Sequence, residues 1–331
     1  MTMLDRSQKA AMDPNEPPPH DDNICRRRES SDDTHVEDVA EFDGTFAPIA
    51  RPKEKRLLPW YRDREYLIGG WVDRATWKAA VVESMGTAGY VFISGQVAAT
   101  LHSYDTLQVG AYIGISNIFL LSTFIYATAA ITGGHLNPLV TFSAIFAGIC
   151  PFSRGILYLC GQTLGGALGG GVLAGVWGHA RSKQLHGGSC FYDPAEMSTG
   201  QVFLNEIFAS FVLLFLVYGV GLDPRQTAVV GARLGPLLVG VSLGLLTFAT
   251  SGVAPGYSGA GMNPARCFAF GIADRDLSTQ WIWWFGPAIG ALLLAFSYNM
   301  VPPHPSPGDE EGEKDSHSNA TLHRHATASH V

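Results

Sequence analysis

Residues 258–268 read SGAGMNPARCF and lie between two long apolar segments near the C-terminal end of the chain. An earlier stretch, GGHLNPLVTF at residues 133–142, has the same frame of glycines, an Asn-Pro pair and a Phe five residues after the Asn. Two copies of one unusual element predict an internal duplication. In duplicated membrane proteins the functional site usually lies where the two halves meet.

The distribution of charge indicates a membrane protein with polar ends. Charged residues make up 15% of the 331 residues, and only fifteen of them lie between Ala79 and Val301. The net charge of −7 argues against a nucleic-acid partner. The five cysteines have no zinc-type spacing, so we expect no metal and no cofactor.

Six segments are long and apolar enough to span a hydrocarbon core about 30 Å thick, which takes roughly 20 helical residues. They lie at about 77–100, 107–131, 152–178, 201–221, 234–253 and 280–302. Six spans place both termini on one side. By the positive-inside rule, that side is placed in the cytoplasm by the cluster Lys53, Lys55, Arg56, Arg62 and Arg64 together with Arg154, Arg225 and Arg233 in alternate loops. Arg181 and Lys183 in an opposite loop oppose this orientation.

Composition divides the chain into three parts. Residues 1–71 and 303–331 are rich in Pro and charged side chains and are predicted to be disordered cytoplasmic tails. Residues 72–302 are predicted to form the membrane domain, with repeat one at about 77–178 and repeat two at about 201–302.

Each Asn-Pro pair is followed by an apolar run that is too short to span, Val140 to Ile149 in the first copy and Phe268 to Ile272 in the second. Pro suits the first turn of a helix, where its missing N–H would have no partner. We therefore predict two re-entrant half-helices, which at membrane depth must line a cavity. Three spans per half invert the second repeat, so the positive N-termini of the half-helices meet near the midplane and repel cations.

Glu83 and Glu206 each lie in the first span of their half. A carboxylate inside the membrane must face the interior and find hydrogen-bond donors. The backbone N–H groups of the re-entrant loops are the expected donors, and a proton-relay pair is the alternative. Close helix crossing is predicted where glycines recur at intervals of four, at Gly161, Gly165 and Gly169 and again at Gly286 and Gly290.

The doubled signature, GGHLNP at 133–138 and GAGMNPAR at 259–266, resembles the aquaporin or major intrinsic protein family over residues 77–302. Further positions that match landmarks of the family are Glu83, Gln162, Glu206 and Tyr257. Leu139 in the first motif and Cys267 after the second resemble the X intrinsic protein subfamily of fungi and plants.

The resemblance implies an all-α membrane protein with six transmembrane helices and two re-entrant half-helices in an inverted repeat. It also implies a homotetramer in the lipid bilayer, by default the plasma membrane, in which each monomer is a passive pore for water or small uncharged solutes. We expect no enzymatic activity, because no set of nucleophile, base or metal ligands converges in the sequence.

The resemblance assigns the pore midpoint to Asn137, Pro138, Leu139, Asn263, Pro264 and Ala265. Both Asn amides would offer NH₂ donors to a passing oxygen. A water held by both amides has its lone pairs occupied, which together with the helix dipoles disfavours the passage of protons and cations.

The resemblance also makes Arg266 a hydrogen-bond donor and positive barrier in an outer constriction. By family spacing, the other constriction residues are Asn117, Ser251 and Ala260. The water-selective pattern has a Phe and a His facing the Arg, and neither is present here. We therefore expect glycerol, urea, boric acid or hydrogen peroxide to pass together with water.

Four residues keep more than one interpretation. Leu139, in place of the usual Ala, either shifts the junction of the half-helices or is accommodated by its neighbours. His135 either gates the pore with pH or hydrogen-bonds to loop backbone. Cys190 and Cys267 map to the outer side, where they form a disulfide, an oxidant-sensitive pair or free buried thiols.

Three other functions stay open at this point. They are a water-selective aquaporin with little solute flux, an ion-coupled transporter with broken helices, and a membrane scaffold or receptor. The transporter requires an ionisable residue at the midplane, and this chain offers none besides Glu83 and Glu206.

Overall fold

The computed structural model describes residues 60–300 except 224, 225, 227–229 and 232. Most of the two predicted tails therefore lies outside the described residues. The first tail was predicted to run to Trp71, but residues 60–71 already form short helical segments, among them α1 at Arg64–Ile68. The reason is local: Asp63 caps α1 by accepting hydrogen bonds from two backbone N–H groups, and Tyr66 is buried.

Six long helices and two short ones follow α1 in the described part of the chain, which contains no strand. They are α2 (Arg74–Ser103), α3 (Val109–Thr132), α4 (Pro138–Phe146), α5 (Phe152–Gln184), α6 (Thr199–Val217), α7 (Gly235–Ser251), α8 (Pro264–Asp274) and α9 (Gln280–Met300). A π-helical turn at Tyr218–Leu222 extends α6. The two short helices, α4 and α8, begin directly after the two Asn residues of the repeated motif.

Four of the long helices are long and apolar enough to cross a membrane: α3, α5, α9 and α6 with its π-helical extension. The other two long helices, α7 and α2, do not meet this criterion, each for a different reason. α7 is apolar but has only 17 residues. α2 has 30 residues, and it carries the buried polar side chains Thr76, Glu83, Thr87 and Ser94.

Two boundaries differ from the sequence-based expectation. α5 is broken by a kink at Gly178, whose φ of 71° and ψ of 170° are not helical, and a second helical piece continues to Gln184. Arg181 and Lys183 therefore lie on a helix and not in a loop. α8 continues past Ile272 to Asp274. The two extensions contact each other, because Lys183 Nζ lies 3.3 Å from a carboxylate oxygen of Asp274.

Helix packing repeats between the two halves. The first and third long helices of each half pack together, α2 with α5 and α6 with α9, and the second long helices, α3 and α7, pack across the halves. Glycines permit this, as predicted: a Cβ on Gly165 would lie 2.1 Å from the carbonyl oxygen of Ser84, and one on Gly290 would lie 2.6 Å from that of Ile207.

Candidate pore

Each half-helix begins at an Asn that caps its first turn. Asn137 Oδ1 accepts a hydrogen bond from the backbone N–H of Leu139 at 2.9 Å, and Asn263 Oδ1 accepts one from that of Arg266 at 3.2 Å. Proline occupies the first helical position in both α4 and α8. The caps fix the orientation of both side-chain amides.

The amide nitrogens of the two caps link the halves reciprocally. Asn137 Nδ2 donates to the carbonyl of Met262 at 2.9 Å, and Asn263 Nδ2 donates to the carbonyl of Leu136 at 3.1 Å. Leu136 and Met262 both have the left-handed backbone that non-glycine residues rarely adopt, with φ of 49° and 50°. Each Nδ2 group keeps a second hydrogen that can be donated to a molecule in the pore.

Glu83 anchors the first re-entrant loop from behind. Its Oε1 accepts from His135 N at 3.1 Å and from the Thr132 hydroxyl at 2.6 Å. Its Oε2 accepts from Leu136 N at 2.7 Å and from Gln162 Nε2 at 2.8 Å. The carboxylate therefore has four donors, of which two are backbone groups of the loop.

Glu206 anchors the second loop in the corresponding way. Its two oxygens accept from Gly261 N at 2.6 Å and from Met262 N at 3.2 Å. Its side chain, like that of Glu83, is fully buried. The two residues that the sequence paired by position thus contact the two loops at matching places.

Among the described residues, the ring of His135 contacts the side chains of Thr141 and Tyr158. Its Nδ1 lies 3.0 Å from the Thr141 hydroxyl, which in turn accepts a hydrogen bond from Gln162 Nε2 at 2.8 Å. The ring of Tyr158 packs edge-on against it at 5.6 Å. The expected hydrogen bond from the His135 ring to loop backbone is therefore replaced by a side-chain network that also holds α5.

A narrow cavity of about 30 Å³, with room for about two water molecules, runs to the two capping Asn residues. Its lining consists of Tyr90, Leu121, Ile125, Gly133, Gly134, His135, Asn137, Val140, Leu213, Val217, Leu222, Val239, Leu243 and Asn263. The walls from α3, α6 and α7 are apolar, and the polar side chains in the lining are Tyr90, His135 and the two capping residues Asn137 and Asn263.

Arg266 is almost fully buried and is held by the second loop. Its Nη2 donates to the Gly261 carbonyl at 3.0 Å, and its guanidinium carbon lies 5.6 Å from the centre of the Phe270 ring. Because Glu206 accepts from the N–H of Gly261, that glycine connects Glu206 to Arg266. In the described part of the chain no carboxylate forms an ion pair with Arg266.

The other three residues predicted for the constriction, Asn117, Ala260 and Ser251, each form a different hydrogen bond. Asn117 Nδ2 donates to the Thr247 hydroxyl at 3.3 Å. Ala260 N donates to the Thr250 hydroxyl at 3.0 Å. Ser251 is partly exposed at the end of α7, where its hydroxyl donates to Phe248 O at 3.4 Å.

Asn117 is thus paired with Thr247, one turn of α7 before the predicted Ser251. Sequence reasoning missed Thr247 and Thr250, although both lie close to Ser251 along the chain. The available signal was the spacing of four between Thr247 and Ser251, which puts both on one face of the helix.

Leu139 is buried beside both motifs. With Pro138 and Pro264 it lines an apolar cavity of about 560 Å³ whose other walls include Trp284 and Phe285 of α9. Leu139 is only 1% exposed, so its larger side chain is packed within the hydrophobic core. Ala265 is packed tightly, because a Cβ on Gly166 would lie 2.5 Å from its carbonyl oxygen.

Cys190 and Cys267 are joined in a disulfide in the structure. The bond connects the segment before α6 to the first turn of α8. Among the described cysteines Cys150 and Cys160 are free, the first buried and the second exposed. Of the three interpretations that the sequence left open, the structure contains the disulfide.

Comparison with known proteins agrees with this architecture. The profile of the Major intrinsic protein family matches residues 71–298. The probable aquaporin TIP-type alpha of Phaseolus vulgaris is 29% identical over 72% of this chain and 93% of its own length. The lens fiber major intrinsic protein of Oryctolagus cuniculus is 32% identical over 68% of this chain and 81% of its own length.

A solved structure supports the fold independently of close sequence similarity. The aquaglyceroporin from Plasmodium falciparum superimposes with a TM-score of 0.57 at 17% identity, covering 68% of this chain and 96% of that one. An inverted repeat with two capped half-helices and a narrow cavity defines a membrane channel. The chain belongs to the major intrinsic protein family, whose members are channels and not enzymes. The predicted all-α aquaporin-like fold is confirmed, with six long helices, of which four meet the length and composition for a membrane span, and two half-helices.

Proposed function

We propose that this protein is a passive channel for water and small uncharged solutes that excludes protons and ions. The observation that carries the proposal is the pair of amides at the end of the narrow cavity. Asn137 and Asn263 each use one amide hydrogen to link the halves and keep the second for the pore. A water that accepts from both amides cannot at the same time pass a proton along a chain of waters.

We propose glycerol, urea, boric acid and hydrogen peroxide as permeant solutes. The support is the polar character of Asn117 and its partner Thr247, at a level where no aromatic side chain was predicted from the family spacing. Leu139 and Cys267 support an assignment to the X intrinsic protein subfamily. The alternative is a water-selective pore with little solute flux.

We further propose a homotetramer in the plasma membrane with both termini in the cytoplasm. The Cys190–Cys267 disulfide supports this orientation, because disulfides persist in oxidising compartments. Under the proposal, the disulfide faces the outside, and α1 and the end of α9 lie at the inner face.

Stopped-flow light scattering on proteoliposomes tests the channel. We expect shrinkage and reswelling in water, glycerol and urea gradients to be faster than in empty liposomes, and a peroxide-sensitive dye to respond faster. A Ser297→Ala variant, changed at an exposed serine of α9, serves as the matched control. Permeability no greater than that of empty liposomes, for full-length protein and for a variant lacking both tails, would contradict the proposal.

An ion-coupled transporter is tested in the same vesicles. Glu83 and Glu206 sit behind the loops and accept backbone hydrogen bonds, and neither is among the residues that line the described cavity. We therefore expect solute flux to be independent of an imposed membrane potential. Flux that follows the potential would favour the transporter.

A further inference from the structure

Asn117 on α3 and Thr247 on α7 continue two walls of the narrow cavity. Leu121 and Ile125, four and eight residues after Asn117, line that cavity, as does Leu243, four residues before Thr247. Residues four apart lie on the same face of a helix. Asn117 and Thr247 therefore lie one helical turn beyond the apolar section, on the same two faces.

The two helices touch backbone to backbone at this level. A Cβ on Gly114 would lie 2.8 Å from the carbonyl oxygen of Gly244, and one on Gly244 would lie 2.6 Å from that of Gly114. Asn117 Nδ2 donates to Thr247 Oγ1 at 3.3 Å, and the two side chains are only 2% and 5% exposed. The pair is thus a buried polar link between the two halves.

The hydrogen-bond inventory of the pair leaves Asn117 partly unpaired. The Thr247 hydroxyl donates to Leu243 O at 2.9 Å, so toward Asn117 it acts as an acceptor. Asn117 uses one amide hydrogen in this contact. Its second amide hydrogen and its Oδ1 form no hydrogen bond to the described residues. One donor and one acceptor, side by side, suit a solute hydroxyl or amide group that needs both.

We propose that Thr247 is a positioning residue that holds the Asn117 amide toward the pore and thereby raises the permeability of small polyols and amides relative to water. This inference rests on the proposed channel function. Without the Thr247 hydroxyl, the Asn117 amide has no fixed orientation at this level, and a solute that binds it must order the side chain as well.

The test is the ratio of glycerol permeability to water permeability in proteoliposomes. Thr247→Val keeps the shape of the side chain and removes the acceptor. We expect the ratio to fall about fivefold, the equivalent of one hydrogen bond of about 1 kcal/mol. Thr247→Ser, which keeps the hydroxyl, is expected to restore the ratio. If Thr247→Val does not fold, Thr247→Ala carries the same expectation.

Thr123→Val is the matched control, because Thr123 is an exposed threonine of α3 whose hydroxyl also bonds to the preceding turn. Its ratio should equal that of the wild type. An unchanged ratio in the Thr247 variants overturns the inference while leaving the channel intact. A wild-type protein that passes water but neither glycerol nor urea also overturns it. A wild type that passes nothing contradicts the proposed function itself.

Discussion

The two re-entrant loops share a left-handed residue directly before the capping Asn, Leu136 in the first and Met262 in the second, and they are held by different chemistry. In the first loop, Glu83 accepts four hydrogen bonds, including two from the side chains of Thr132 and Gln162. In the second, Glu206 accepts two, both from backbone N–H groups. The first loop is therefore tied by polar side chains to the helices around it.

The second loop has covalent and local support instead. Cys267 is bonded to Cys190, and its carbonyl accepts from Gln280 Nε2 at 3.0 Å. Ala260 N donates to Thr250, and Arg266 donates to Gly261 O. The comparison shows that the duplicated motif determines the turn before each half-helix and the capping Asn. The hydrogen bonds and covalent bonds that hold each loop in place differ between the two halves.

The largest contrast is expected from removing the two carboxylates. Glu83→Ala leaves the backbone N–H groups of His135 and Leu136 without an acceptor, and Thr132 and Gln162 keep their other acceptors, Thr128 O and Thr141 Oγ1. At about 3 kcal/mol for the two buried N–H groups and about 1 kcal/mol for each of the two lost side-chain hydrogen bonds, the variant should lower the free energy of unfolding by about 5 kcal/mol. Glu206→Ala leaves two N–H groups unpaired and loses no side-chain hydrogen bond, so it should lower the free energy of unfolding by about 3 kcal/mol. Denaturant unfolding of purified protein in detergent measures both. Equal losses of unfolding free energy in the two variants would show that the two carboxylates support their loops to the same extent.

Breaking the disulfide should destabilise the second loop. Cys190 and Cys267 are 77 residues apart, and a cross-link over such a loop contributes about 4 kcal/mol. Cys190→Ser should therefore lower the unfolding free energy by that amount, and a reductant should bring the wild type to the same value. Cys160→Ser, at an exposed free cysteine, is the control. A wild type insensitive to reductant would count against this support.

Gln162 supports only the first loop. Gln162→Ala removes its hydrogen bonds to Glu83 and Thr141 and should lower the unfolding free energy by about 2 kcal/mol. Thr163→Ala, at the next position of α5, removes a hydroxyl that bonds only to Leu159 O and is the control. A loss no larger than in this control would show that the network adds nothing.

The smallest effect is expected at Thr250. Thr250→Val removes the acceptor of the Ala260 N–H, and we expect amide exchange in the second loop to accelerate about fivefold, the equivalent of about 1 kcal/mol. Hydrogen-exchange mass spectrometry of peptides covering residues 133–142 and 258–268 compares the loops directly. Faster amide exchange in both peptides would indicate that the substitution destabilises the whole domain and does not act through a contact of the second loop.

Local sequence patterns predicted the features that one segment determines by itself. The start of each half-helix follows from Asn-Pro, because Asn caps and Pro suits the first turn. The need for a donor to each buried carboxylate follows from the cost of charge in the membrane. These arguments identified Glu83 and Glu206 together with the loops that contact them.

Partners from distant helices could not be predicted in the same way. Periodicity shows which face of α7 is buried, but only the packing of α7 against α3, with Gly114 and Gly244 in close approach, brings Asn117 to Thr247 and not to Ser251. The end of the first tail was misplaced because Tyr66 is buried by residues far along the chain. Its hydroxyl oxygen lies 2.6 Å from the carbonyl oxygens of both Ile145 and Cys150, which share its single hydrogen.

The C-terminal end of α4 has a consequence for the order in which the protein is made. The Phe146 carbonyl accepts from Asn299 Nδ2, 153 residues later, and the Asn137 amide donates to Met262, 125 residues later. During synthesis, the first half therefore enters the membrane before Met262 and Asn299, the partners of its half-helix from the second half, have been made. Its native form becomes available only when the last helix has been translated, so assembly of the pore must be a late, post-insertion event.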